Sequence, residues 1–370
     1  NPDQANSNGD GIGDACTPPP PVFVDADATG NNDGSSWQDA HADLQDALDA
    51  ARQRYVPAIW VAAGTYRPDR GTGDRVAAFE LPGGLSIYGG FAGGETELWQ
   101  RNPQLHATVL AGDLAANDHT ADPGRWLDNS FHVVTAIASG HNAVLDGFTI
   151  TGGRADGPSP HDRGAGLHIR FANPVLIRCR FVDNHAALDG GAVYATQYSH
   201  PAFLNCAFEL NTAGRHGGAA MHEEYTRPTL ANCGFVGNRA VAGGAIHNSL
   251  HANAELVNCT LAGNHAETGG GIYNHTSEPS LINCIVWGNT DFASIGPAGQ
   301  ITDVESLPRV SYSCIQDGLP GDGWVWPGTD NTDLPPRFIR SPDDGGDGWG
   351  AGGNDDLGDL RLLGSSPAID

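Results

Sequence analysis

The sequence predicts an all-β chain, a right-handed parallel β-helix (a solenoid) with an N-terminal capping α-helix. Three observations carry that expectation. Cysteines recur at positions 179, 206, 233, 259 and 284, at intervals of 27, 27, 26 and 25 residues. Behind each comes a tetrapeptide ending in asparagine: Phe-Val-Asp-Asn184, Phe-Glu-Leu-Asn211, Phe-Val-Gly-Asn238, Leu-Ala-Gly-Asn264 and Val-Trp-Gly-Asn289. Glycine pairs recur at Gly190-Gly191, Gly217-Gly218, Gly243-Gly244 and Gly269-Gly270. A fixed period of this length marks supersecondary units that bury their apolar faces only against their neighbours. Gly and Asn turns cut each unit into pieces too short for a helix. What remains is one coil wound from short strands, stacked on the next at roughly 4.8 Å.

Each element of the repeat has its own reason. From Pro201 to Phe208, period-2 alternation puts Leu204, Cys206 and Phe208 inward and Asn205 and Ala207 outward. Gly244 to Asn248 is expected to form a second short strand, Ile246 inward and His247 outward. Asn184, Asn211, Asn238, Asn264 and Asn289 then stack as an amide ladder, at a corner that needs residues tolerant of left-handed backbone. The glycine pairs mark the next corner. Cys179, Cys206, Cys233, Cys259, Cys284 and Cys314 take one inward site on successive coils. Neighbours a coil apart exceed the roughly 3.8 Å Cβ separation of a disulfide, so buried free thiols are expected.

The paired signatures Phe-x-x-Asn and Gly-Gly-Ala-Ile resemble polymorphic outer membrane protein repeats. The second stands at Gly243 to Ile246, with variants at Gly190 to Val193, Gly217 to Ala220 and Gly269 to Ile272. The resemblance covers residues 145–290 and implies a bacterial surface β-helix, a group that includes adhesins.

The chain opens with Asn6, Asn8 and Asp10 alternating, Gly11 for a sharp turn, the Ile12 carbonyl, and Asp14. Alternating oxygen donors around a glycine turn suit Ca²⁺. From Asn1-Pro-Asp-Gln to Asp14-Ala-Cys16 the stretch resembles one thrombospondin type 3 repeat, departing from it at Asn6 and Asn8, where that family prefers Asp. The resemblance implies an array, with Cys16 paired to a neighbouring repeat and this chain part of something longer. Residues 17–21 form a polyproline linker, and 22–370 the solenoid: cap and irregular coils over 22–144, regular repeats over 145–290, irregular coils and a cap over 291–370.

Ser36 to Ala51 is expected to be an amphipathic helix with Leu44, Ala47, Leu48 and Ala51 on one face, covering the open end of the stack. Further strands are expected at Val22–Asp25, Ile59–Tyr66, Leu85–Phe91, Thr108–Asp113, Phe131–Thr135 and Ala143–Ile150. The order of this opening, through Asp-Gly-Ser-Ser-Trp37, Val-Ala-Ala-Gly-Thr-Tyr66 and Tyr-Gly-Gly-Phe-Ala-Gly-Gly-Glu95, resembles secreted proteins of the pectate-lyase-like superfamily. The ending, Asp359 to Asp370, resembles the terminal motif of secreted β-helix proteins with interchangeable surface anchors. Both ends fall inside motifs, which also suits self-association, end to end, into a fibre.

A net charge of -25, from 19 arginines without a lysine against 44 acids, argues against nucleic acid and anionic membranes. No apolar run approaches the length needed to insert in a bilayer. Coil alignment places His168, Tyr194, Met221, His247 and Tyr273 in one outward column, with Arg170, Thr196, Glu223, Ser249 and His275 beside it. His168, Tyr194, His247 and Tyr273 are the expected ligand-binding residues, suited to a polysaccharide or cell-surface glycan by stacking and hydrogen bonding. The expected role is extracellular, at a cell surface: adhesion, carbohydrate binding or structure, with calcium as stabiliser. The alternative is a polysaccharide lyase or glycoside hydrolase. Its catalytic candidates are His168, Arg170, Tyr194, His216, Glu223 and His247, with Arg163 and Arg215 beside them and Asp189 as the carboxylate partner of Glu223. His222, Asn248 and Asn274 fall inward as an internal ladder. A second, weaker cation site is expected among Asp343, Asp344, Asp347, Asp355 and Asp356.

Calcium at the N-terminal loop has a direct test. Asp10→Ala is expected to abolish a calorimetric calcium-binding event while the β-sheet circular dichroism stays unchanged; an unaltered titration refutes the loop.

Overall fold

The computed structural model describes residues 20–119, 124–139, 142–291, 299–317, 327–346, 348–349 and 354–368. The calcium loop with Asn6, Asn8, Asp10, Ile12 and Asp14, most of the proline linker, and Asp347 lie outside the described residues. Three parallel sheets of ten, nine and eight strands run along the molecule, each strand pairing with its equivalent on the neighbouring coil. One coil shows the plan: Val175–Ile177 lies in the ten-stranded sheet, Arg180–Val182 in the nine-stranded and Val193–Thr196 in the eight-stranded sheet. A single core cluster threads the coils from Val22 to Ile315. The solenoid therefore runs one coil past the regular repeats, through Ile301–Val304, Arg309–Ser311 and Cys314-Ile315. Beyond it, Phe338–Arg340 and Asp359–Leu362 form an antiparallel pair.

In-register stacking puts like on like. Phe181, Phe208 and Phe235 stack inside with centroids 5.1 and 4.6 Å apart and planes within 4°. The six repeat cysteines are free and buried, Cys206 Sγ reaching the Leu176 carbonyl at 3.5 Å and Cys233 Sγ the Phe203 carbonyl at 3.3 Å. The amide ladder is complete. Asn184 Nδ2 donates to Asn211 Oδ1, Asn211 to Asn238, Asn238 to Asn264 and Asn264 to Asn289, at 2.8 to 3.0 Å. Gln300 Oε1 ends the run, accepting Asn289 Nδ2 at 2.8 Å. The left-handed residue at this corner is the one before each asparagine, Asp183, Leu210, Gly237, Gly263 and Gly288, with φ from 53° to 68°. That turn is what aims the amide inward.

Three expectations are corrected. Leu204 faces outward and Phe203 inward, because Asn205 adopts φ 56° and breaks the stretch into two strands with a shifted phase. The same corner gives an outer ladder, with Asn232, Asn258 and Asn283 each donating to the asparagine one coil before it, down to Asn205, at 2.7 to 3.1 Å. The helix spans Leu44–Gln53 rather than starting at Ser36: Asp43 caps it through the Gln45 amide at 2.8 Å. Residues before it are held elsewhere, Asp39 by the Asn31 amide and Ser36 hydroxyl and His41 by a bridge to Val24. Leu44, Ala47 and Leu48 still enter the core. The strand expected at Phe131–Thr135 lies at Val134–Ile137.

Asn238 takes part in four ladder bonds: Nδ2 to Phe208 O and Asn264 Oδ1, and Oδ1 from the Asn211 amide and Asn211 Nδ2. Asn238→Leu strands their buried partners and is expected to cost about 2 kcal/mol or more in urea unfolding. An unchanged midpoint would show that the ladder does not hold the corner.

Candidate active site

The glycine pairs do more than turn a corner. Gly164, Gly190, Gly217, Gly243 and Gly269 all sit at φ between 61° and 70°, and fold the chain back over the outer face of the eight-stranded sheet. A Cβ at Gly190 would lie 2.2 Å from the Val193 carbonyl, and one at Gly217 2.2 Å from the Ala220 carbonyl. Only glycine permits both the backbone angle and the approach. The residue before each of these glycines joins a column of its own, Arg163, Asp189, His216, Ala242 and Thr268. It stands over the outward column His168, Tyr194, Met221, His247 and Tyr273, whose register is as aligned in the sequence. The fold-back covers that column: His168 is 5 % exposed, Tyr194 4 % and His247 4 %. The open aromatic ladder expected for glycan stacking is thus largely buried, and Tyr273 is its more accessible member.

Where the columns meet, the side chains converge on Asp189. Arg215 Nη2 donates to its Oδ2 at 2.8 Å, Arg163 Nε lies 3.0 Å from the same oxygen, and His216 Nδ1 is 2.8 Å from Oδ1. The His216 approach is off the line of a good hydrogen bond, so it acts as a close polar contact. Burial pushes the Asp189 carboxyl up, but His216 and Arg215 outweigh it and hold it below the usual carboxylate range. Glu223, one strand away, goes the other way. Burial raises it, and the hydrogen bond from the Tyr194 hydroxyl offsets this only in part. Burial and Glu223 together push Tyr194 above the usual phenol range. Arg163 lies over the Tyr194 ring, 5.6 Å from its centroid.

These groups line an open groove of about 330 Å³ with Arg163, Asp189, Arg215, His216, Glu223 and His247 among its walls. Tyr273, Ser249 and His275 extend it along the sheet. His216, Glu223 and His247 of the catalytic candidates thus share one site, and Tyr194 joins them through Glu223. His168 and Arg170 do not line it: His168 packs edge-on against Tyr194 and His132, and Arg170 is exposed at its strand end. His132 had no signal in the repeat pattern, since it comes from an irregular coil. Its Nδ1 meets the Gly164 carbonyl at 3.0 Å, which makes Nδ1 the donor and leaves Nε2, 3.1 Å from His161 Nδ1, as acceptor. The inward ladder is observed as expected: His222 Nδ1 bonds Asn248 Oδ1 at 2.9 Å, and Asn248 Nδ2 bonds Asn274 Oδ1 at 2.9 Å.

The second cation candidate is partly accounted for by other bonds. Asp343 and Asp344 accept the Gly345 and Gly346 amides at 3.0 Å, and Asp356 pairs with Arg340 at 2.5 Å. Asp343 and Asp356 also bridge through their backbones.

Burial drives the histidines of this face and core toward neutrality, His132 and His222 to about 4 and His168 and His247 to about 3. A depressed histidine stabilises the fold fully above its unfolded value of 6.5, and that stability is lost as pH falls toward the folded value. Urea midpoints are therefore expected to fall steadily from pH 6.5 to about 4. His222→Asn, which continues the Asn248–Asn274 ladder with a non-titrating amide, is expected to flatten that slope; an identical slope would show that His222 is not a contributor.

Comparison with known proteins bears on the fold. A family model described as right handed beta helix region matches residues 128–290. No curated protein matches the sequence. A pectin methylesterase from Aspergillus niger, in deglycosylated form, superposes with a TM-score of 0.40 at 12% identity, covering 85% of this chain and 86% of that one. A pectin methylesterase from Erwinia chrysanthemi gives 0.37 at 12% identity, over 88% and 83% of the two chains. The A-module of a mannuronan C-5 epimerase from Azotobacter vinelandii gives 0.34 at 14% identity, over 84% and 95%. With the three stacked parallel sheets and the matched repeat region, the chain is a right-handed parallel β-helix.

Proposed function

We propose that the chain is a carbohydrate-active enzyme that cleaves an acidic polysaccharide by β-elimination in the groove over the eight-stranded sheet. The observation that carries this is Asp189, a buried carboxylate that gathers Arg163, Arg215 and His216 beside the Glu223–Tyr194 pair. Two guanidiniums, facing Asp189 and, from Arg163, also Asp162 at 3.6 Å, bring cationic donors into the groove of an otherwise acidic protein. That is what a uronate carboxylate needs, both to bind and to have its α-proton made acidic. The Asp189 charge 2.8 Å from His216 Nδ1 favours the form protonated there and leaves Nε2 to take that proton. Glu223, whose raised value favours the protonated form, donates to the departing glycosidic oxygen, and Tyr194 holds it in place. The C–H and C–O bonds break, a C=C bond forms, and the proton lost to His216 is balanced by the one given by Glu223.

Hydrolysis is less well supported, because it asks Asp189 to serve as nucleophile or base while its oxygens face three other groups. Adhesion without catalysis keeps one supporting observation: Tyr198, Tyr225 and His251 form a stack on the outside, with centroids 5.3 and 5.1 Å apart. An extracellular setting fits either reading.

The test is a panel of polyuronates and neutral glucans. The expected product is an ultraviolet-absorbing unsaturated end from a polyuronate, with His216→Ala and Glu223→Gln each lowering the rate by about a hundredfold or more. Reducing ends without absorbance would turn the assignment to hydrolysis. Tight binding with no product would turn it to adhesion.

A further inference from the structure

The segment between the strands Thr108–Ala111 and Val134–Ile137 lies away from the groove and gathers carboxylates and carboxamides in one corner. Asp113 accepts the Asn117 and Asp118 amides at 2.9 and 3.2 Å. Asp128 accepts the Ala115 amide at 2.9 Å and Asn117 Nδ2 at 3.3 Å. Asn129 Nδ2 donates to Asp118 Oδ2 at 2.9 Å and to the Gly152 carbonyl at 2.7 Å, tying the cluster to the next coil.

Three acceptors of this corner are left over by these bonds. Asn117 Oδ1, Asp118 Oδ1 and Asn129 Oδ1 are each buried without a hydrogen-bond partner, and Asn129 as a whole is 2 % exposed. Buried acceptors are ordinarily satisfied, so three in one corner, beside the carboxylates of Asp113 and Asp128, call for a positive partner. The nearby guanidiniums of Arg125 and Arg154 act on Asp183. Burial above all pushes Asp118 above the usual range, with smaller contributions from Asp113, Asp128 and Asp183 and against the bond from Asn129.

We propose that this corner is a site for a hard divalent cation, Ca²⁺ by preference, held by Asp118 Oδ1, Asn117 Oδ1 and Asn129 Oδ1 with Asp113 and Asp128 supplying charge. Oxygen donors alone exclude soft metals. A mixed carboxylate and carboxamide set on an irregular loop suits the adaptable shell of Ca²⁺ better than the strict octahedron of Mg²⁺. Histidine, cysteine and carboxylate side chains by themselves form no metal cluster among the described residues, and here the two carboxamides complete the donors. Calcium would fasten the loop to the Gly152 turn. It is independent of the catalytic proposal, since none of these residues lines the groove.

The experiment uses the full chain carrying Asp10→Ala, so that the N-terminal loop is silent, titrated with calcium chloride by calorimetry and melted in calcium and in chelator. One binding event per chain and a higher melting temperature in calcium than in chelator are expected. Asp118→Asn and, separately, Asn117→Ala are expected to weaken binding by about tenfold or more. Asp118→Asn relieves like-charge crowding, so in chelator it is expected to melt no lower than its parent, which separates lost binding from lost folding. No calcium heat in the Asp10→Ala chain, or an affinity unmoved by both further substitutions, overturns the site.

Discussion

The fold depends on one constraint: every corner must be repeated in register, because the hydrogen bonds that satisfy it run between coils. At the inner corner each asparagine Oδ1 accepts both the backbone amide and the side-chain amide of the asparagine one coil before it. A corner residue that failed to align would strand buried donors on two coils at once. The left-handed residue ahead of each asparagine makes this possible, and its recurrence fixes the cross-section. Given the cross-section, the phenylalanine stack and the thiol column follow as consequences of placing equivalent residues one above another.

The same demand at the glycine corner creates the site. Folding back over the sheet puts a second column on top of the outward one, with Arg163, Asp189 and His216 above and mostly imidazole and phenol below. Where Arg163, Asp189 and His216 stand over Tyr194, Met221 and His247, neither column is solvated as a plain surface would be. The pair of carboxyls therefore separates, Asp189 held low by its cationic neighbours and Glu223 raised by burial. That separation needs no special loop. It is a property of the corner, given these residues at those coil positions.

Much of the architecture was legible because the period repeats unit after unit, and a ladder needs only the period. The column His168 to Tyr273 and the inner ladder His222–Asn248–Asn274 were legible for the same reason. Phase was harder. Alternation through Asn205 carried the count straight across a left-handed residue, so Leu204 was placed inside where Phe203 belongs. Composition marks such a break only at its asparagines, and the equivalent residues Arg178 and Tyr312 carry no turn signal at all. Depth was harder still. Alternation says that Tyr194 and His247 leave the core, yet the chain passing over them is set by glycine conformation, which a hydropathy pattern does not record. His132 comes from a coil of irregular length, so no column in the sequence points to it, whereas Arg163 was legible as a candidate cation.

The inner ladder also has a consequence for how such a chain changes over time. Each interior coil shows the same acceptor to the coil before it and the same donors to the coil after it, so coils are interchangeable parts where Asn211 or Asn238 is concerned. Duplication or loss of a whole unit leaves every joint matched. The groove has no such tolerance, since Arg163, Asp189, His216 and His247 come from four successive coils. Whole-unit gain or loss thus leaves the corner matched anywhere from Asn184 to Asn289 but breaks up the groove between residues 163 and 275. Gln300 sets the outer limit, because its Nε2 turns back to the Asn289 carbonyl and offers the next coil no matching donor.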